Sequence, residues 1–115
     1  MPALHHLALR THDVDGLLAF YLRWFGLAVQ RDTRPRSVWL QLQPSAVLMI
    51  ELADPDEPGV PAHSRELFAV SISTAERARL REELVAAGLL EAETEHTLYF
   101  RDPDGRRVGL SSYPL

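Results

Sequence analysis

One order of elements is written twice in 115 residues: a short alternating strand, a capped amphipathic helix, then three more short strands. In the first copy, residues 4–10 alternate as a strand, with Leu7 and Leu9 beside His5 on one face and Leu4, His6, Ala8 and Arg10 on the other. Asp13 is placed to cap a helix running to about Phe25, where Leu17, Phe20, Tyr21, Trp24 and Phe25 keep helical spacing and Gly26 marks the stop. Strands follow at about 27–32, 37–43 and 46–52, broken at Pro35 and Pro44. The second copy has a strand at 66–72 and a capping box, Ser73-Thr74-Ala75-Glu76, opening a helix with Leu80, Leu84 and Val85 as its apolar stripe. Gly88 stops that helix, and strands follow at about 90–93, 97–101 and 106–112. His6 and Leu67 lie 61 positions apart, Asp13 and Thr74 the same 61, and Gly26 and Gly88 62. Such regularity points to an internal duplication.

Residues 53–64 hold three prolines and a glycine and read as a linker, dividing a single domain, 1–115, into a first module of about 4–52 and a second of about 65–113. The last two strands form a hairpin around Asp102-Pro103-Asp104-Gly105. There Pro103 pre-sets φ, Asp102 can accept from the backbone, and Gly105 tolerates the exit geometry.

Composition removes whole classes of chemistry. With no cysteine there is no disulfide, thiolate nucleophile or iron–sulfur cluster, and with no lysine there is no side-chain Schiff base. A net charge of −4 without a basic stripe argues against nucleic acid as a partner. No apolar run approaches the ~18 residues of a membrane span, and no signal-like N-terminus is present, so a cytoplasmic location is expected. There is also no nucleophile elbow, no phosphate-cradling glycine loop and no zinc-protease motif.

The repeat, together with His5-His6-Leu7-Ala8-Leu9, Phe20-Tyr21, Phe25-Gly26-Leu27 and Arg101-Asp102-Pro103-Asp104-Gly105, resembles the vicinal oxygen chelate superfamily of glyoxalases, extradiol dioxygenases and fosfomycin- and bleomycin-resistance proteins. The resemblance covers essentially the whole chain. It implies an α+β fold of two βαβββ modules, with curved mixed sheets around a cavity and helices on the outside. It also implies a homodimer in which the cavity wall is often shared.

Enzymes of that superfamily hold a divalent metal through His, Glu or Gln at four cavity-facing strand positions. Carried over one by one, these fall on His6, on Glu51 in Leu48-Met49-Ile50-Glu51-Leu52, on Leu67 in Leu67-Phe68-Ala69-Val70, and on Gly109 after the Asp-Pro-Asp-Gly turn. Two of the four cannot coordinate through a side chain. Alternation turns Phe68, Val70 and Ile72, and Val108 and Leu110, toward the helices, leaving Leu67, Ala69, Ser71, Gly109 and Ser111 for the cavity. His63 and His96 are the candidates for a compensating ligand; otherwise they are solvated.

These positions lead to two functional expectations. The first is a small-molecule-binding or sequestering protein with a degenerate metal site and no cofactor, its ligand lined by His6, Trp39, Gln41, Met49, Glu51, Leu67, Ser71, Gly109 and Ser111. In it His6 is a neutral histidine hydrogen-bonded to Glu51, and the wall at Leu67 and Gly109 is apolar and roomy. The second is a glyoxalase- or dioxygenase-like enzyme using Ni, Zn, Mn or Fe through His6 and Glu51, with Glu51 also able to act as a general base. Arg10, Arg101 and Arg106 read as solvated.

Overall fold

The chain, described over all residues 1–115 by a computed structural model, forms two compact units, Met1–Gly59 and Val60–Leu115. The first contains β1 (His6–Thr11), α1 (Val14–Trp24), β2 (Ala28–Thr33), β3 (Ser37–Gln43) and β4 (Ala46–Leu52). The second contains β5 (Leu67–Ser71), α2 (Thr74–Ala86), β6 (Ala92–Glu93), β7 (Thr97–Arg101) and β8 (Arg107–Ser111). Each unit is one four-stranded mixed sheet, in the orders β1-β4-β3-β2 and β5-β8-β7-β6. The expected α+β architecture of two βαβββ modules is what the chain adopts.

Local chemistry sets the element boundaries. The Asp13 carboxylate accepts the Gly16 N–H at 3.0 Å and opens α1. Ser73 and Glu76 satisfy each other's backbone N–H groups reciprocally and open α2. The cap of α2 is therefore Ser73 and Thr74 is its first helical residue, one position earlier than the 61-residue offset implies. Gly26 and Gly88 end the helices at φ +63° and +71°, a region closed to most side chains.

Each sheet buries one face under its own helix. In the first unit Leu17, Leu18, Tyr21 and Trp24 of α1 are buried, as are Leu9, Val38, Leu40, Leu48 and Ile50 of the sheet. In the second the buried set is Leu80 and Leu84 of α2 with Leu98, Phe100, Val108 and Leu110. Val85, expected in this stripe, is 52% exposed; it lies about 100° around the helix from Leu84, off the line of the i, i+4 pair.

Two loops are better anchored than composition suggests. The opening of the 53–64 segment is tied to β1, where Ala53 N–H donates to Thr11 O at 2.8 Å and Arg10 grips the Glu57 carboxylate with three contacts of 2.7–3.1 Å. In the final hairpin Asp102 is buried, and its Oδ1 accepts the N–H groups of Asp104 and Arg106 at 2.9 and 3.0 Å. Arg106 closes the turn on Asp102 and Asp104. Burial lowers the affinity of the Arg106 guanidinium for its proton, but hydrogen bonds and charge from Asp102, then Asp104, outweigh it and hold the pKa above the ordinary value. Arg106 is thus a structural clamp rather than a solvated residue.

Candidate functional site

Strand alternation leaves one face of each sheet free of its helix, and the residues expected to line a ligand lie on these two faces. On the first sheet, register pairs His6 with Val47, Trp39 with Met49, Gln41 with Val47 and Ser37 with Glu51, so His6, Trp39, Gln41, Met49 and Glu51 share the face opposite α1. Arg31 of β2 pairs with Trp39 and stacks its guanidinium over the indole at 5.1 Å. Gln30 and Gln41 join their amides at 3.2 Å. Trp39 is therefore a half-buried aromatic platform rather than a core residue.

His6 and Glu51 are on the same face but not together. His6 is level with Val47, and Glu51 with Arg10 four residues further along β1; at about 3.3 Å per residue that is about 13 Å along the strand. The expected hydrogen bond between them does not form. One His6 ring nitrogen pairs instead with that of His5, at 2.9 Å, and the charged neighbour of Glu51 is Arg10, 3.9 Å away. Arg10, expected in solvent, is the hub of this end of the sheet, facing Glu51, Asp54 and Glu57. Its hydrogen bonds, then the Asp54 N–H, hold the Glu57 carboxyl down to about 2.

On the second sheet Leu67 pairs with Arg107, Ala69 with Gly109 and Ser71 with Ser111, while Thr97 and Tyr99 of β7 pair with Ser111 and Gly109. Leu67 is 42% exposed and apolar, as expected. Gly109 is not roomy. A Cβ built there would lie 3.2 Å from the Ala69 Cβ and 3.4 Å from the Thr97 Cγ2, so any side chain at this position starts in tight contact and Ala69 has to give by a few tenths of an ångström. The Thr97 and Ser111 hydroxyls are bonded to each other at 2.8 Å. Arg101, expected in solvent, binds Glu91 and the carbonyls of Ser64 and Gly105.

The donor set does not fit one divalent ion. An ion holds its oxygen and imidazole ligands at about 2.0–2.2 Å, whereas no three His, Cys, Asp or Glu side chains come together in the chain. His63 is exposed on a left-handed backbone at φ +61°, and His96 packs its ring on Tyr113 with Glu95 3.8 Å from its Nε2.

Sequence reasoning passed over two features. One is the pair of arginine–aromatic stacks on the open faces, Arg31 on Trp39 and Arg107 on Tyr99, for which strand alternation was the available signal. The other is a shallow cleft of about 480 Å³ in the first unit, lined by His12, Asp13, Val14, Asp15, Arg34, Pro35 and Leu52. Arg34 there is bonded to Asp32 and Asp15, so the charges of the cleft are largely spent on one another.

This arrangement of helix-backed sheets with open faces is shared with proteins of known structure. The lactoylglutathione lyase of Agrobacterium tumefaciens superposes with a TM-score of 0.72 at 23% identity, over 95% of this chain and 92% of that one. The fosfomycin resistance protein FosX of Listeria monocytogenes, an E126Q mutant complexed with Mn(II) and 1S,2S-dihydroxypropylphosphonic acid, superposes with 0.81 at 19% identity, over 100% and 93%. A possible glyoxalase from Bacillus cereus gives 0.78 at 18%, over 95% and 97%. No curated protein matches the sequence. The family model of the Glyoxalase/Bleomycin resistance protein/Dioxygenase superfamily matches residues 3–110, and the chain belongs to that superfamily. No helix is long and apolar enough to cross a membrane.

Proposed function

We propose that this protein is a small-molecule-binding member of the superfamily with a degenerate metal site, holding a small organic ligand against its open sheet faces and acting as a cytoplasmic homodimer. The observation that carries this reading is the incomplete donor set: no three possible metal ligands come together in the chain. Of the four positions where metal-dependent relatives place ligands, Leu67 and Gly109 offer no donor, and Gly109 is tightly flanked by Ala69 and Thr97. The half-buried Trp39, Met49 and Gln41 supply what a small-molecule site commonly has, an apolar platform with a few polar groups at its margin. His6 and Glu51 then serve as separate polar contacts, not as a chelating pair.

A second reading, a divalent-metal enzyme of the glyoxalase or dioxygenase kind, is favoured by the retention of His6 and Glu51 and by the Mn(II) held by the FosX neighbour. Metal analysis separates the two. After chelation and titration with Ni, Zn, Mn or Fe(II), the first reading expects no stoichiometric tight binding. About one ion per chain, lost in His6→Ala, overturns it in favour of the second. A thermal-shift screen of small organic compounds tests ligand binding directly, since a ligand that binds the folded state raises its stability by mass action. Sedimentation as a monomer at micromolar concentration removes the dimer from the proposal.

A further inference from the structure

Arg107 is the one half-buried cation on an open sheet face whose donors are left without hydrogen bonds inside the chain. Its Nε is buried with no hydrogen-bond partner. The nearest acceptor, Glu91 Oε1, is 3.8 Å away, too far for a hydrogen bond. Glu91 is already engaged by Arg101, whose Nε and Nη2 reach it at 2.8 and 3.3 Å. The Arg107 side chain is only 18% exposed. Its guanidinium lies over the Tyr99 ring at 4.5 Å, which fixes its plane without using an N–H. The other arginines of this unit's open face are not comparable: Arg101, the cross-strand partner of Arg107, spends its donors on Glu91, Ser64 and Gly105.

Nε itself is sealed from solvent, but the side chain is 18% exposed at its Nη end, where the N–H groups have no acceptor in the chain and an oxyanion would supply one. We propose that Arg107, braced on Tyr99, is an oxyanion anchor for the carboxylate of a small organic acid. The local charge favours an anion: Arg65, Arg101 and Arg107 stand around the single negative charge of Glu91, which leaves a net positive charge to neutralise. A planar guanidinium suits a planar carboxylate in a fork-to-fork pair. Beside it Leu67, the strand partner of Arg107, is 42% exposed and gives the rest of such an acid an apolar surface to lie on. This inference rests on the small-molecule-binding reading and adds the ligand's chemical class.

Benzoate, benzamide and inorganic phosphate are the probes, titrated into the full chain at constant ionic strength. The readouts are calorimetry and the side-chain N–H spectrum of arginine Nε. The expected result is saturable benzoate binding that moves the Arg107 Nε resonance, no binding of the uncharged benzamide, and about tenfold or greater weakening in Arg107→Gln, as when a charge-assisted pair is lost. Arg107→Lys keeps the charge and is expected to weaken benzoate as well, because the fork is gone; thermal unfolding of both variants at the wild-type midpoint excludes misfolding as the cause. Glu91→Gln is expected to tighten benzoate. Phosphate binding with no benzoate binding rejects the carboxylate class. Equal binding of benzamide and benzoate, or benzoate affinity unchanged in Arg107→Gln, leaves a small-molecule site but overturns the anchor. If neither anion binds, the anchor falls too, and the thermal-shift screen of uncharged compounds then decides whether the binding reading survives.

Discussion

At the scale of single residues, the molecule turns on which side-chain atoms find room and partners. Gly109 is the sharpest case. Its place on β8 puts a new Cβ 3.2 Å from that of Ala69 and 3.4 Å from the Leu98 carbonyl. Gly109→Ala is therefore expected to destabilise by about 1–2 kcal/mol through overpacking, measured by urea denaturation. Adding Ala69→Gly should return part of that, a coupling that identifies the contact. If Gly109→Ala is neutral, Ala69 gives way without cost and the position is not overpacked. Residue identity alone foretold that Leu67 and Gly109 cannot ligate. It did not foretell the crowding, because the methyl groups responsible come from β5 and β7, distant in sequence. His6 and Glu51 teach the converse. Both types are able ligands, and the strand pairing puts them on one face, but separation along the strands depends on the register of β1 against β4, which no local pattern specifies.

At the scale of elements, α1 and α2 are held by different means. α1 buries six residues, Val14, Leu17, Leu18, Phe20, Tyr21 and Trp24; α2 buries Leu80 and Leu84 alone. With so little apolar contact, α2 depends more on its ends, and Ser73 and Glu76 close its N-terminus reciprocally. Ser73→Ala is expected to cost about 1 kcal/mol and to raise hydrogen exchange in the first turn of α2 before it affects β7 or β8. Uniform exchange across the second unit would show instead that the cap acts only through global stability. The helices, their caps and the strands β3, β4 and β7 were legible because capping and alternation are local. The edge strand β6 shrank to Ala92–Glu93, since an edge is fixed by its one neighbour and not by its own composition.

For the whole molecule, the Arg10–Glu57 pair links the first strand to the segment that follows β4, and its electrostatics give a pH signature. Hydrogen bonds from Arg10, then the Asp54 N–H, lower the Glu57 pKa from 4.5 to about 2. A carboxyl whose folded pKa is depressed stabilises the fold above its unfolded value and loses that contribution as pH falls through the folded value. Wild-type protein is thus expected to be more stable than Glu57→Gln at pH 7, with the difference shrinking below about 4.5 and gone near 2. The pair is solvent-exposed, so the difference should be small and weaken with salt. A gap that stays constant across this pH range would mean that Glu57 acts by packing rather than by charge. Denaturation curves at several pH values supply the measurement.

The sequence by itself determined the duplicated βαβββ order, the caps and stops of both helices, and which face of β1, β5 and β8 carries the candidate residues. All of these follow from periodicity and from interactions within a few positions. Only the tertiary structure decided that His6 and Glu51 stand apart, that Ala69 and Thr97 crowd Gly109, that Arg10 is committed to Glu57, and that Arg107 keeps its donors unspent. Each of these depends on strand register and on contacts between segments far apart in the chain, where the partner is chosen by the packing of the sheet and not by any neighbour in sequence.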